Sequence, residues 1–412
     1  MKRQTPAHKG VCYIVGAGPG DPGLLTLRGL ECLKQADVIL YDALCNPQLL
    51  SHAKSSARLV DVGKSGKTRS RQDQINHLLV KETSAGHTVC RLKGGDPYVF
   101  GRGGEEALAL HQAGLNFQVV PGVTSAIAVP AYAGIPVTHR GKSVMFTVIT
   151  GHEDPDKGNS DVDWSKVAQL EGTRVLLMGL SRLKLITESL IRYGAPKSMP
   201  VAVIESGTLG SQRTVTGTLS DITAKVAKAG LKPPAITVLG EVVTLRQELN
   251  WFEKSPLFGR RVVVTRTRAQ ASQVTHYLQR LGAEVIELPT IKIVPPQHPE
   301  KLRESIMNIQ SFDWLVLTSP NAAEIFLRDF MLIHGDIRKL NGVKIAAVGT
   351  ATGAKLKEFH LPVDLKPREF SALKLSEIFK AKNIKGKKIL LPRSAIAQDL
   401  LPKELKKLGA VC

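Results

Sequence analysis

An α/β architecture in two successive modules is predicted for this chain from three observations. Short apolar, β-branched runs alternate with stretches of helical period along most of the length. Several of these runs end directly in glycine-rich loops. After Asn250-Trp251-Phe252 the pattern pauses and then restarts. At 412 residues, about two to four domains are expected.

In the first module the runs Val11–Val15, Val38–Tyr41, Thr88–Leu92, Phe117–Val120, Val144–Thr150, Arg174–Met178, Val201–Ile204 and Ala235–Leu239 read as short buried strands. Leu24–Gln35 and Gln72–Ser84 carry helical spacing. Such alternation predicts mostly parallel sheets. Residues 253–259, with Pro256 and Gly259, read as a linker. Beyond it Arg261–Thr265, Glu284–Leu288, Trp314–Thr318, Lys344–Val348 and Lys388–Leu391 read as strands and Ala271–Leu281 as a helix. Leu281-Gly282-Ala283-Glu284-Val285 leads from that helix into a strand, and Leu408-Gly409-Ala410-Val411 repeats the pattern. The chain is therefore expected to end at the start of a strand, with a continuation missing.

Composition narrows the function classes. A hydrophobic fraction of 43% and a mean hydropathy of -0.03 suit a soluble globular protein. Leu115–Thr138 lacks charge but is broken by Pro121, Gly122, Pro130, Gly134 and Pro136, so no membrane span is expected. No apolar segment follows the basic Met1–Gly10, which argues against a signal peptide. Five cysteines without a Cys-x-x-Cys pair argue against a disulfide framework or structural zinc and fit a cytoplasmic protein; Cys12 and Cys90 read as core residues. The formal charge of +20 points to an anionic partner. No aromatic-interleaved basic strip is present, which disfavours nucleic acid.

The chemistry is expected in the loops. Residues 91–106 hold glycine pairs at 94–95 and 103–104 around Asp96, Arg91 and Arg102, a composition suited to close approach of a ligand. Gly18-x-Gly20-x-x-Gly23 after the first strand formally matches a dinucleotide-binding pattern, with Asp42 at the distance of a ribose contact. Pro19 and Pro22 lack the N–H groups that a pyrophosphate needs, so this loop is better suited to shape a pocket wall. Gly63-Lys64-Ser65 and Gly66-Lys67-Thr68 lack the upstream glycine of a phosphate loop. Pro121-Gly122-Val123-Thr124-Ser125 runs from a strand into small residues that open a helix, and His139 stands either near the site or at a strand end.

Taken in order, Val-Gly-Ala-Gly-Pro-Gly-Asp-Pro at 15–22, Tyr41-Asp42, Val62-Gly63-Lys64, the 91–106 string, Val-Pro-Gly-Val-Thr-Ser at 120–125, Gly-Ile-Pro-Val-Thr-His-Arg at 134–140, Thr150-Gly151-His152 and Met178-Gly179-Leu180 resemble the uroporphyrinogen-III C-methyltransferases of the tetrapyrrole methylase superfamily. The resemblance covers about 10–252, with subdomains of about 10–135 and 136–252. Val264-Thr265-Arg266, Leu281–Val285, Leu317–Ala322, Val348-Gly349 and Leu391-Pro392-Arg393 resemble uroporphyrinogen-III synthase over 260–412. That fold is two α/β domains, the first made from both chain ends. Here the returning half stops early, so a C-terminally incomplete module is expected. A complete one cyclises hydroxymethylbilane; the expected truncation argues against that activity in this chain.

The resemblance implies S-adenosyl-L-methionine as methyl donor, S-adenosyl-L-homocysteine as product, no metal, and a polycarboxylate tetrapyrrole as acceptor, methylated at two ring carbons to precorrin-2 on the way to sirohaem or cobalamin. A homodimer, without nucleic acid or membrane, is implied too. Carried over by motif, Pro19, Gly94, Gly95, Asp96, Val99, Thr124, Ser125, Met178, Gly207 and Ala235 would line the cofactor pocket, Asp42 would accept a proton and Lys64 donate one. Ala43 and Ser65 stand where the family commonly has arginine, which leaves open a related porphyrinoid as substrate, or a binding-only role. The dinucleotide oxidoreductase remains as the rival.

Overall fold

The computed structural model describes residues 10–63, 68–152, 162–265, 268–291, 293–296, 298–367 and 372–412. It forms two compact units, Met1–Ile291 and Lys292–Cys412.

The first unit opens with five parallel strands, β1 (Val11–Gly16), β2 (Val38–Tyr41), β3 (Arg58–Asp61), β4 (Thr88–Lys93) and β5 (Asn116–Val120), in the order β3-β2-β4-β1-β5. Helices α1 (Leu27–Gln35), α2 (Thr68–Ser84) and α3 (Gly103–Gln112) make the crossovers. β1 is buried because its neighbours β4 and β5 flank it and helices cover both faces; Ile14 and Val15 are fully inaccessible. The predicted Leu24–Gln35 helix is shorter. Pro22–Leu24 is a single 3-10 turn, and Thr26 caps α1 by accepting the Gly29 N–H at 3.1 Å.

The second sheet corrects the expectation of mostly parallel pairing. β6 (Phe146–Thr150), β7 (Thr173–Leu177), β8 (Pro200–Glu205), β9 (Arg213–Thr218) and β10 (Ala235–Leu239) run in the order β6-β7-β10-β8-β9. Only β6–β7 is parallel; β10 is antiparallel to both neighbours, and β8 and β9 form a hairpin. Strands β3 and β9 were not readable as apolar runs. Each is a sheet edge, with charge or alternating Thr in place of a continuous hydrophobic stretch.

Helix α4 (Ser125–Tyr132) fixes the second sheet against the loops of the first. Its Ala126 and Val129 share one core with Val175, Leu177, Ala202, Ile204, Ile236 and Val238. After the linker, β11 (Arg261–Val264) and β12 (Glu284–Glu287) pair in parallel around helix Arg268–Arg280 and remain within the first unit.

The second unit has a parallel sheet β14-β13-β15, from β13 (Trp314–Leu317), β14 (Lys344–Ala347) and β15 (Ile389–Leu390). Helix Pro320–His334, capped by Ser319, buries Ala323, Phe326, Leu327 and Phe330. The repeated Leu-Gly-Ala sites behave alike: Gly282 and Gly409 have φ of +89° and +85°, and Ala283 and Ala410 are buried just beyond them. Val411 then bridges in parallel to Lys388.

Phe330→Ala is expected to cost the second unit about 3–5 kcal/mol, since the ring is fully buried and stacks on Phe326. Denaturant unfolding followed at the helix signal checks this; a midpoint equal to wild type would show that the cavity collapses without cost.

Candidate functional site

Three strand ends of the first sheet meet in backbone contact. A Cβ built on Gly16 would stand 2.5 Å from Gly122 Cα, and one on Gly122 would stand 2.3 Å from the Gly95 carbonyl oxygen. No side chain fits at either place. Gly18 and Gly95 exchange backbone hydrogen bonds at 3.2 and 2.8 Å, which joins the 15–23 and 91–106 loops. Asp96 ties in the third loop: one carboxylate oxygen accepts the Gly122 N–H at 3.0 Å and the other the Tyr98 N–H at 2.8 Å. Thr124 caps α4 by accepting the Ala126 N–H at 3.3 Å. The loops therefore diverge from the carboxyl edge of a parallel sheet, the usual ligand position in such folds.

The second sheet supplies the facing wall. Because β10 is antiparallel to β7 and β8, its first residue lies at the same edge as their last ones. Met178, Ser206–Gly207 and Ala235 are thereby brought together. Gly207 admits no side chain, since a Cβ there would stand 2.3 Å from Val129 Cγ1. Backbone strain gathers here: Phe100, Met178, Ser206 and Thr208 have φ of +51°, +59°, +49° and +70°, and all four line the cavity. Non-glycine residues held in this region store strain that is commonly found at ligand sites.

The cavity between these walls measures about 1500 Å³. Ligand sites usually run to roughly 300–1,000 Å³, so there is space for more than one group. Pro19, Gly94, Gly95, Asp96, Val99, Thr124, Ser125, Met178, Gly207 and Ala235 all line it. Met178, readable from sequence as a core residue, is instead 50% exposed into this space. Among the described lining residues Arg280 is the permanent cation, against Asp21, Asp96, Glu284 and Glu287. Most of the remaining wall is apolar, with Leu44, Val99, Ile204 and Phe252 on it.

Asp42 is not among the residues that line the cavity, whereas its neighbour Ala43 is. Lys64 lies outside the described residues. Asp42 belongs to a buried charge network. Its Oδ1 accepts from Arg91 at 2.6 Å; Arg91 Nε donates to Glu106 Oε1 at 3.0 Å, and Lys93 Nζ donates to the same oxygen at 2.9 Å. Glu106 is fully buried and Arg91 and Lys93 are each 2% exposed. Two cations face two carboxylates, which is what makes burial tolerable. Desolvation, followed by the neighbouring Arg91 charge, lowers the Lys93 pKa from its ordinary value.

Several other side chains hold the site together without having been marked by any motif. Tyr132 donates its hydroxyl to Asp21 at 2.6 Å; burial, then Asp21, raises its pKa. The Asp21 N–H donates to Thr208 Oγ1 at 3.0 Å and the Thr208 N–H to Gln212 at 2.9 Å. The signal for the charge network was in plain view, because Arg91 and Lys93 alternate inside an otherwise apolar strand. His139 sits exposed in a turn closed to Ser143 and off the cavity; Arg102 makes a two-point contact with Glu105. The dinucleotide geometry is absent: α1 begins at Leu27, beyond the glycine loop, and Asp42 is held by Arg91.

No helix of the described residues is long and apolar enough to cross a membrane, and no cluster of metal-ligating side chains occurs among them. The family model for Tetrapyrrole (Corrin/Porphyrin) Methylases matches residues 11–223, and that for uroporphyrinogen-III synthase HemD matches 272–411. The porphyrin biosynthesis protein HemD of Ruminiclostridium josui is 41% identical over 95% of this chain and 77% of its own length. The uroporphyrinogen-III C-methyltransferase of Bacillus subtilis is 43% identical over 85% of this chain and 71% of its own. The crystal structure of the Thermus thermophilus uroporphyrin-III C-methyl transferase with S-adenosyl homocysteine is matched along 100% of its length by 57% of this chain, at 40% identity and a TM-score of 0.50.

Two outcomes are expected from this geometry. Glu106→Leu leaves Arg91 and Lys93 facing each other with one carboxylate fewer, and should cost about 3–5 kcal/mol in thermal or denaturant unfolding; a loss under about 1 kcal/mol would mean the network relaxes freely. Burial pushes the Cys12 and Cys45 thiols up to about 12, and Cys90 is also raised by burial, whereas Cys412 is exposed. A thiol reagent at neutral pH should therefore label Cys412 first in the native protein, and rapid labelling of Cys45 would contradict this.

Proposed function

The chain belongs to the tetrapyrrole (corrin/porphyrin) methylases, and we propose that its first module transfers methyl groups from S-adenosyl-L-methionine to two ring carbons of uroporphyrinogen III, giving precorrin-2. What supports the reading is that the ten residues matched by motif to the cofactor pocket line one cavity whose described charge is predominantly acidic. A sulfonium is a cation, and an acidic, largely apolar cleft suits it while offering little to a pyrophosphate. Gly95 leaves room for the donor, because a Cβ there would have its nearest neighbour at 3.9 Å, the Ser125 N–H nitrogen.

When bound, S-adenosylmethionine supplies a methyl group already activated toward a carbon nucleophile. The chain's residues have the remaining work of alignment and proton handling. The strained turns at Met178 and Ser206–Thr208 and the glycine contact of Gly16, Gly95 and Gly122 hold a fixed cleft. Asp42 is our candidate to accept the proton that the acceptor ring loses. Arg91 fixes its Oδ1, which leaves Oδ2 to take that proton. Lys64 is our candidate donor. Arg91 and Lys93 are paired within the protein, so the acceptor's carboxylates require other cations, which the net charge of +20 supplies in excess.

The second module matches the family that makes uroporphyrinogen III, so a complete module of that kind would supply the acceptor of the first. A cytoplasmic location fits the five free cysteines.

Incubation of the full chain with uroporphyrinogen III and methyl-labelled S-adenosylmethionine should give a doubly methylated product; no label in tetrapyrrole would reject the proposal. Asp42→Ala should lower turnover by about 10²–10⁴-fold while calorimetry with S-adenosylhomocysteine gives wild-type binding. Full retained turnover would remove Asp42 from the mechanism. Tight binding of NAD(P) in its place would favour the oxidoreductase.

A further inference from the structure

The opening segment of the second module, which falls within the first compact unit, lines the cavity. Gln279, Arg280 and residues 283–287 lie on its wall, within the same compact unit. Two struts connect this wall to the 18–23 loop. In the first, Gln48 Nε2 donates to the Val285 carbonyl at 3.3 Å and Gln48 Oε1 accepts from Gln279 at 2.7 Å. Two residues earlier, Asn46 donates to the Gly20 carbonyl at 2.8 Å. In the second, a Cβ on Gly210 would stand 2.5 Å from the Glu284 nitrogen, so the 206–210 turn lies flat on the wall's backbone. Thr208 in that turn accepts the Asp21 N–H at 3.0 Å. Both struts end on Gly20-Asp21. The junction is also pinned by backbone bonds from Gly259 to Gly210 and from Leu257 to Leu281, at 3.2 and 2.8 Å.

We propose that the unit β11–helix–β12 of the second module is a positioning element of the donor site: it holds the 18–23 loop in its donor-binding shape and closes that side of the cavity. Donor affinity in the methyltransferase module then depends on the synthase-like module. This rests on the methyl-donor reading above. The Thermus relative, matched in full by 57% of this chain, holds its S-adenosyl homocysteine within that shorter length. The wall therefore adjusts a donor site rather than creating it, and its removal weakens binding without abolishing it.

Two full-length variants approach the wall by different means. Gln48→Ala/Gln279→Ala removes the side-chain strut, and Gly210→Ala pushes the wall away sterically while deleting no hydrogen-bonding group. In each, calorimetry with S-adenosylhomocysteine should show a dissociation constant about five- to tenfold higher than wild type, because the loop is no longer held in advance. KM for S-adenosylmethionine should rise in parallel while kcat at saturation stays within about twofold, which a general loss of folded protein would not produce. Wild-type binding with both variants within about twofold of it overturns this proposal alone. A wild-type chain that binds no S-adenosylhomocysteine overturns the donor reading and this proposal with it.

Discussion

Everything at the site depends on a steric constraint, the meeting of Gly16, Gly95 and Gly122 without side chains. Three parallel strands end within one backbone thickness of each other there. The loops that follow have to diverge, and the space they leave becomes the cavity. The same contact fixes where the chain after β5 starts its next helix. That helix, α4, then packs on β7, β8 and β10, so one glycine junction sets the position of both walls.

A second constraint is electrostatic and lies buried between β4 and α3. Arg91 and Lys93 share the oxygen Oε1 of Glu106, while Glu106 Oε2 has no partner among the described residues. A buried carboxylate with two cations on one oxygen is costly to disturb and so geometrically definite. Arg91 transmits that definition to Asp42, the residue before Ala43 on the cavity wall. The loop carrying Asp42 is thus tied both to the strand beside it, through the Asp42 N–H to the Leu92 carbonyl, and to the core beneath.

Much of this was legible in the sequence, for identifiable reasons. Buried parallel strands announce themselves as apolar runs, and β2 and β10 were readable to the residue. Glycine pairs in a loop leave a compositional trace, so Gly94 and Gly95 are legible from the residues alone, whereas Gly207 is legible only through the family resemblance. What did not show was anything decided by pairing across long separations. The antiparallel direction of β10 depends on which strands flank it, and apolar runs carry no direction. The edge strands β3 and β9 lack the apolar signal. Asp21, Tyr132, Thr208 and Gln212 are joined by bonds spanning up to 187 positions, and each is unremarkable alone. The 253–259 linker was readable as a break in pattern; the first compact unit nevertheless runs on to Ile291, because Leu257 and Gly259 are bonded to Leu281 and Gly210.

The antiparallel strand also explains why the two charge scales of this protein do not conflict. The chain as a whole is strongly basic, yet the cavity is not. In a wholly parallel second sheet the start of β10 would lie at the far edge, and Ala235 with Pro233 and Pro234 would leave the cavity. With β10 reversed, these small apolar residues close the wall that the ends of β7 and β8 leave open, and they do so without adding charge. On the reading proposed above, a cationic donor would meet Asp21 and Asp96 in a mainly apolar cleft, where a local field is strong. On the same reading, the basic excess outside the cavity would draw in a polyanionic acceptor without competing for the donor's place.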